Sequence, residues 1–314
     1  MSVREFDLVV FDLDGVILSE EGYLDAAALT VAFFAKTMDN RRPAGLPDPQ
    51  TVASESDVAL LREHYLPAAL IRELRARAIN SNWDKALAVV LLFVLMRRRG
   101  VDQSGAQATL DLARYRETGK ELLDVLLSQT AAKMGDDVQK RVIDRFQACF
   151  LGDRQAKSEW LRAGLARQER CMTDPRAMSS ALETLRESGH SLGIGTGRPR
   201  REAEHALRAL RLWPLFERRR IVTIDEVRQE EARSGAPEGT LAKPHPYTFQ
   251  AAAAGVRPGR ALAVGDSPAD FLAARAAGLR FAGIGPRDHF PSGEYGDVYL
   301  PTVPALASWL GDMG

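Results

Sequence analysis

The sequence has few cysteines, and this limits what kind of protein it can be. Cys149 and Cys171 are the two cysteines among 314 residues. Two residues cannot form the disulfide framework of a small secreted scaffold, and they are not spaced as a CxxC pair. This cysteine content fits a reducing compartment, so we expect a cytoplasmic protein.

An excess of charge of one sign is also missing, as are long apolar runs. Lys+Arg and Asp+Glu number 42 each, whereas nucleic-acid binders usually carry a basic surface. The longest apolar run, Ala86–Met96, is too short to span a bilayer. The N-terminus lacks the layout of a signal peptide. We expect no nucleic-acid partner and no membrane, and interpret 86–96 as a buried helix or, less favoured, an oligomer contact.

Two common phosphate-binding patterns are absent as well. No GxxxxGK[ST] P-loop occurs, and Gly193–Arg198 is not GxGxxG because Arg198 stands where the third glycine belongs. Any phosphate chemistry must therefore use other groups.

The hydrophobic pattern changes twice along the chain. Phe6–Phe11 is a short apolar run that indicates a strand buried on both faces. Residues 20–168 are rich in Ala, Leu, Arg and Glu at helical spacing. From Thr173 onward, helical and strand patterns alternate. The predicted helices there are Pro175–Ser188, Pro199–Arg211, Pro246–Ala254, Ala269–Ala277 and Val303–Leu310, and the predicted strands are Ser191–Gly195, Ile221–Ile224, Arg260–Val264, Arg280–Ile284 and Val298–Leu300.

Such alternation predicts an α/β fold with parallel strands and right-handed crossovers. The first strand has no neighbour nearby in sequence, so we expect it to pair with strands beyond residue 190. The helical block is then an insertion. We predict an α/β core of residues 1–19 and 171–314 and a mostly α-helical domain of residues 20–170.

Three polar clusters each follow directly on an apolar predicted strand: Asp12–Gly15, Thr196–Arg198 and Gly265–Asp270. In open parallel sheets, ligands bind beyond the carboxyl ends of the strands. We therefore expect the three clusters to converge on one crevice.

The acidic residues in these clusters predict a cation. Asp12 and Asp14 would share a face of extended chain, Gly15 permits a sharp turn, and Asp266 and Asp270 would add carboxylates. Two like charges ~4 Å apart repel by about 4 kcal/mol at an effective dielectric near 20. Oxygen ligands without His or Cys favour Mg²⁺. A capped turn, or a helix start capped by Ser or Asp, is the alternative.

The remaining polar residues fit an anion. Thr196 and Gly197 precede a predicted helix, whose backbone N–H groups could bind a phosphate; an ordinary Thr N-cap is the alternative. Arg198 could contact a phosphate or be solvated. Lys243 lies between the predicted strands and before a helix, where a surface charge is the alternative.

Together these residues resemble the haloacid dehalogenase (HAD) superfamily, whose four motifs occur here in order. They are Asp12–Val16, Thr196–Gly197, Lys243–Pro244 and Gly265–Asp270. The resemblance implies a Rossmannoid core, a parallel sheet flanked by helices, with a helical cap inserted after the first strand.

The resemblance also implies roles. Asp12 would attack phosphorus and form an aspartyl-phosphate, and Asp14 would be the general acid/base. Phosphoryl oxygens would be held by Thr196, Gly197, Arg198 and Lys243, and Lys243 is counted among the catalytic residues. Mg²⁺ would be held by Asp12, Asp14 (through its backbone carbonyl), Asp266 and Asp270, the last of which would assist Asp266 or orient Lys243.

We therefore expect a Mg²⁺-dependent phosphohydrolase that cleaves a small phosphate monoester, with a small phosphorylated metabolite as its partner. Asp14 argues against a dehalogenase, which by this resemblance lacks that acid/base. A sugar-phosphate phosphomutase would use the same residues, and a non-catalytic binding protein is the third hypothesis. A monomer and a homodimer are both open.

Overall fold

The computed structural model describes residues 5–38, 43–79, 81–135, 137–257, 259–285 and 296–312. The chain divides into two compact units. We call the first, Met1–Glu20 with Glu169–Gly314, the α/β unit, and the second, Glu21–Gln168, the helical unit. That the helical unit acts as a cap stays a prediction.

In the described part of the α/β unit, six strands form one sheet with every neighbouring pair parallel. They are β1 (Leu8–Phe11), β2 (Ser191–Gly195), β3 (Ile221–Val222), β4 (Ala261–Gly265), β5 (Arg280–Ile284) and β6 (Val298–Leu300). Their order is β3-β2-β1-β4-β5-β6. The predicted α/β class with a Rossmannoid parallel sheet is confirmed.

The first strand lies in the middle of this sheet. β1 pairs with β2 on one side and β4 on the other, with Phe11 level with Ile194 and Val264. The prediction that it pairs with strands beyond residue 190 is confirmed. Because all three strands run the same way, the segments that follow them leave the sheet side by side.

Residues of β1 contribute alternately to two apolar cores, one on each face of the sheet. Val9 and Phe11 belong to one core, and Leu8 and Val10 to the other. Successive side chains of a strand point to opposite faces. A continuous apolar run is thus what a strand covered on both sides requires.

Helices of the helical unit surround a core of their own. They are α1 (Glu21–Met38), α2 (Glu55–Tyr65), α3 (Ala68–Ala76), α4 (Asn82–Arg98), α5 (Gly105–Leu112), α6 (Gly119–Met134), α7 (Val138–Leu151) and α8 (Glu159–Ala163), with a 3₁₀ turn at Leu165–Gln168. All members of this core fall between residues 23 and 166.

The apolar run Ala86–Met96 lies within α4 and is almost wholly buried. This confirms the interpretation as a buried helix. Ser81 caps the helix by accepting a hydrogen bond from the Asp84 backbone N–H, 3.1 Å, and Trp83 packs edge-on against Phe146.

The described part of the α/β unit contributes six further α-helices and two 3₁₀ turns, Trp213–Leu215 and Arg218–Arg220. The α-helices are α9 (Pro175–Glu187), α10 (Arg200–Ala209), α11 (Ile224–Ser234), α12 (Tyr247–Ala252), α13 (Pro268–Ala276) and α14 (Val303–Asp312). α9, α10 and α14 supply residues to one core and α12 and α13 to the other. No helix in the parts of the chain described above has the length and apolarity needed to cross a bilayer.

Most of the helices and strands predicted after residue 173 differ from the observed ones by one or two residues at an end. Pro199 is the N-cap of α10 and not its first residue. The strand predicted over Ile221–Ile224 ends at Val222, because Thr223 starts a helix that the pattern did not predict. The Thr223 hydroxyl and the Glu226 carboxylate form a reciprocal capping box there, which gives Ile224 a helical start.

Candidate active site

Three neighbouring strands deliver the predicted site residues to one edge of the sheet. Asp12 follows β1, Thr196 follows β2 and Asp266 follows β4. The backbone N–H of Asp12 donates to the Val264 carbonyl, 2.8 Å, so the ladder continues one residue beyond the strand. The carboxylate of Asp12 is thereby fixed where the sheet ends.

A lysine joins this edge from a distant part of the sequence. Lys243 Nζ lies 3.1 Å from an Asp12 carboxylate oxygen and 2.6 Å from Asp270 Oδ1. Its side chain is 12% exposed and that of Asp12 13%. The ammonium also lies 5.0 Å from the centre of the Phe249 ring, a cation–π distance. Lys243 is thus a buried, paired cation beside Asp12.

The Asp12 carboxylate is largely shielded from water, and this changes its pKa. Burial raises the pKa of Asp12 from near 3.8 to about 7; Lys243 opposes this rise, and Asp270 and Asp14 add to it. Burial lowers the pKa of Lys243, but the Asp12 and Asp270 carboxylates together raise it further, and the net shift is upward. Positive charge beside Asp12 therefore favours its ionised form.

Three carboxylates could hold a cation. Asp12, Asp266 and Asp270 each offer an oxygen within 4.8 Å of the others. The donor set consists of oxygens alone, which fits a hard divalent ion such as Mg²⁺. A cation there would also offset the mutual repulsion of the carboxylates.

Asp270 is the least suited of the three to be a direct ligand. Its Oδ1 accepts from Lys243 Nζ, and its Oδ2 accepts from the Ser267 hydroxyl at 2.6 Å and the Ser267 backbone N–H at 3.2 Å. In return Ser267 caps α13. Of the two roles expected for Asp270, this geometry favours orienting Lys243.

Two glycines allow these carboxylates to approach the backbone. Gly15 has φ +73°, and a Cβ on it would lie 2.1 Å from Asp266 Oδ2. A Cβ on Gly265 would lie 2.4 Å from the Asp270 Cβ. A methyl group at either position would collide with an acidic side chain of the site.

The Thr196–Gly197 turn provides the remaining polar edge. Thr196 is buried, its N–H donates to the Val222 carbonyl, and its hydroxyl accepts from the Arg198 N–H at 3.2 Å. Apart from Gly197 and its two chain neighbours, no atom of the described residues lies within 4 Å of where a Gly197 side chain would begin. The space over this turn is therefore open to a ligand.

Arg198 makes contacts that the sequence did not indicate. Its Nε donates to both oxygens of Asp14 at 3.0 Å, and its Nη2 donates to Asp14 Oδ1 at 2.5 Å. Its Nη1 donates to both oxygens of Glu169, at 2.7 and 2.8 Å. The guanidinium is thus bound between two carboxylates, and a phosphate contact for Arg198 stays a prediction.

Glu169 is the residue of this cluster that sequence reasoning missed. It lies in no motif and is 29 residues from its partner Arg198. Burial raises the pKa of Glu169 from near 4.5 to about 7, although Arg198 opposes the rise. A lone glutamate beside Arg170 gave no local signal that could have identified it.

The chain matches the family model for haloacid dehalogenase-like hydrolases over residues 6–278. That span is most of the chain, and the chain therefore belongs to this family of hydrolases. The resemblance inferred from the four motifs is confirmed. No curated protein matches the sequence at a significant level.

Several solved structures are similar to this chain over almost its whole length. An X-ray structure from the Northeast Structural Genomics Consortium is 22% identical, with a TM-score of 0.74 over 98% of this chain and 99% of that chain. A HAD family hydrolase from Deinococcus radiodurans R1, with bound phosphate and sodium, is 18% identical with a TM-score of 0.49 over 99% and 98%. A HAD phosphatase from Thermococcus onnurineus is 19% identical, with a TM-score of 0.49 over 98% of each chain. At 22% identity, the similarity to the first of these structures shows a shared fold and nothing about activity.

Proposed function

We propose that this hydrolase cleaves a small phosphate monoester through an aspartyl-phosphate on Asp12, with a divalent cation, most simply Mg²⁺. The observation that carries the proposal is the position of the Asp12 carboxylate. It sits at the end of a central strand, 3.1 Å from a buried lysine and beside a second carboxylate at Asp266. A small phosphorylated metabolite would be the substrate.

In the first step, an Asp12 oxygen attacks phosphorus and forms an O–P bond while the ester O–P bond breaks. The leaving oxygen takes a proton from Asp14, and the alcohol departs. Two-step covalent catalysis of this kind replaces one difficult displacement with two easier ones.

In the second step, water attacks the phosphorus of the aspartyl-phosphate. Asp14, now ionised, accepts a proton from that water. The Asp12–phosphorus bond breaks, which releases inorganic phosphate and restores both carboxyl groups to their starting states.

Charge on the transferring phosphoryl group must be stabilised in both steps. Lys243 would contribute its ammonium, which Asp270 holds in place, and the open turn at Thr196 and Gly197 would contribute a hydroxyl and backbone N–H groups. Asp12, Asp266 and the Asp14 carbonyl would hold the cation. When bound, it would neutralise the carboxylates and polarise a phosphoryl oxygen.

Asp12→Asn tests this mechanism. With p-nitrophenyl phosphate and Mg²⁺, we expect kcat to fall by more than about 1,000-fold, as for the loss of other nucleophiles. Asp7→Asn is the matched control: Asp7 precedes β1, is half-exposed and is paired with Arg260, and its variant should keep wild-type turnover. Wild-type turnover in Asp12→Asn would refute the nucleophile.

The cation is tested by binding as well as by activity. Mg²⁺ should raise the melting temperature of the wild type and of Asp7→Asn, because a ligand bound only by the folded state stabilises it. In Asp266→Asn the shift should be lost. An equal shift in that variant would mean that the cation binds elsewhere.

Mass spectrometry of products from a hexose phosphate separates hydrolysis from phosphoryl transfer between sugar hydroxyls.

A further inference from the structure

Arg198 is a fully buried cation whose charge is directed at the proposed acid/base. Its side chain is 1% exposed, against 20% for Asp14 and 5% for Glu169. Asp14 therefore lies at the accessible end of this row of three charges, and Glu169 lies at the inner end. Nε and Nη2 face Asp14 along one edge of the guanidinium, where arginine presents two N–H groups in one plane. Nη1 alone donates to both oxygens of Glu169.

Burying these charged groups costs free energy, whereas charges that serve only solubility stay exposed to water. Each ion taken out of water carries a desolvation penalty of several kcal/mol, which only well-placed partners offset. Asp14 alone could neutralise Arg198, yet Glu169 adds a second carboxylate, whose two oxygens both accept from Nη1. This second carboxylate anchors Nη1, the nitrogen that makes no hydrogen bond to Asp14, and so restricts the direction from which Asp14 is held.

The backbone around the cluster is fixed on both sides. Arg198 donates its N–H to the Thr196 hydroxyl and accepts at its carbonyl from the Ile224 N–H. The residue after Glu169, Arg170, accepts at its carbonyl from the Ser19 N–H, 2.8 Å. Next to it, Cys171 forms an antiparallel bridge with Leu18. The Glu169 segment is thus tied to the chain that follows Asp14.

Arg198 binds the two oxygens of Asp14 unequally. Oδ1 accepts from both Nε and Nη2, whereas Oδ2 accepts from Nε alone among the described residues. Oδ2 therefore has more lone-pair capacity left for a proton.

We propose that Arg198, anchored by Glu169, is a positioning residue that orients the Asp14 carboxylate so that Oδ2 gives and takes the catalytic proton. This inference rests on the proposed acid/base function of Asp14. Without Arg198, the Asp14 carboxylate would rotate, and both proton transfers would slow. These are protonation of the leaving oxygen in the first step and deprotonation of water in the second.

The test is Arg198→Met, which keeps an apolar stem, with Glu169→Gln as the isosteric second variant. Alkyl, phenyl and p-nitrophenyl phosphates are compared, since poor leaving groups need the proton most. We expect kcat/KM of Arg198→Met to fall about 100-fold for the alkyl ester, within the range of general acid–base catalysis, and much less for the p-nitrophenyl ester. Glu169→Gln should show the same trend with a smaller loss.

The phosphoenzyme gives a second readout. In Arg198→Met the nucleophile is intact and the base is misplaced. Aspartyl-phosphate on Asp12 should therefore accumulate in this variant during turnover of p-nitrophenyl phosphate, as detected by mass spectrometry after acid quench. Arg220→Met is the control for loss of a buried arginine, since Arg220 pairs with Glu217 and the Ala252 carbonyl. It should change neither the leaving-group dependence nor the phosphoenzyme level.

Other outcomes overturn the proposal. A uniform loss for all three esters would assign Arg198 and Glu169 a structural role. A rise in KM and in the inhibition constant of inorganic phosphate, with leaving-group dependence unchanged, would make Arg198 a phosphate ligand. If Arg198→Met does not fold, Glu169→Gln decides between these outcomes. Failure of the proposed function itself would be visible separately, as a wild type that hydrolyses none of the three esters.

Discussion

Asp12 and Asp14 are two residues apart, yet they are held by different cations. Asp12 faces Lys243, which is itself oriented by Asp270, and Asp14 faces Arg198, which is oriented by Glu169. Each proposed catalytic carboxylate is therefore paired with a buried cation that a further acid holds in place. This separation fits the two different tasks that the proposed mechanism gives them.

Gly15 provides a prediction about close packing. Gly15→Ala should lower kcat by about 100-fold, because its Cβ would displace Asp266, and a shift of about 1 Å near reacting groups has that effect. Gly278→Ala is the matched control: Gly278 has φ +76° and open space around it. Both variants should lose about 1–2 kcal/mol of stability to backbone strain. Equal activity in the two variants would contradict the role of Gly15.

Asp270 provides a prediction about the lysine. In Asp270→Asn, Lys243 loses one of its two carboxylate partners, and we expect kcat to fall about tenfold or more. Ser267→Ala removes the helix cap and leaves the carboxylate on Lys243, so it should cost about 1 kcal/mol of stability with a smaller loss of kcat. If Ser267→Ala were the less active variant, Asp270 would matter through the cap and not through Lys243.

Glu169 provides a prediction about pH. Its pKa is raised to about 7 in the folded protein, from near 4.5. Between these values the folded state keeps a proton that the unfolded state has released, so this group makes stability fall as pH rises. Glu169→Gln should remove that part of the slope of unfolding free energy, measured by urea titration from pH 5 to 7. Glu238→Gln, at an exposed side chain, controls for net charge. An unchanged slope in Glu169→Gln would contradict the raised pKa.

At the scale of elements, caps decide where several helices begin beside the sheet. Ser267 and Thr223 each pair with an acidic residue three positions later. Thr223 directly follows β3, and Ser267 lies two residues after the end of β4. These capping boxes end the strand and start the helix within a few residues. For β4 and α13 the same carboxylate, Asp270, then serves both the helix and the candidate site.

The N-cap of α9 offers a stability prediction. The Asp174 side chain accepts from the N–H groups of Arg176 and Ala177, at 3.0 and 3.1 Å. Asp174→Ala should destabilise the protein by about 1 kcal/mol in urea unfolding, while Asp174→Ser should keep most of that stability. Equal stability of the two variants would show that the cap contributes little.

At the scale of the whole molecule, the apolar cores of the two units share no residue. The core of the helical unit lies within residues 23–166, and the two cores of the α/β unit use residues 6–18 and residues from 171 onward. Each unit thus buries its own apolar side chains, which is the main source of its stability.

This leads to a prediction for the isolated helical unit. A fragment of residues 21–168 should fold on its own, because a chain of this size can bury enough apolar surface. Helical circular dichroism with a cooperative thermal transition is the expected result. The same fragment carrying Phe93→Ala, a fully buried side chain of α4, should lose about 3–5 kcal/mol. A fragment without a cooperative transition would show that the unit needs the rest of the chain.

Sequence alone determined the features that depend on near neighbours. Local patterns were enough to recognise the strand buried on both faces at Leu8–Phe11, the strands Ser191–Gly195 and Arg280–Ile284, the buried helix around Ala86–Met96 and the four family motifs. Period and turn chemistry are properties of a few consecutive residues, so one sequence suffices to show them.

Only the tertiary structure decided which of these residues meet. The strand order put β1 between β2 and β4, and packing brought Lys243 to Asp12 and Glu169 to Arg198. A long-range ion pair leaves no periodic mark on the sequence, because its geometry depends on how distant segments pack. For that reason Asp14 was predictable as an acid, whereas its buried partner Arg198 was predictable only as a phosphate ligand or a solvated charge.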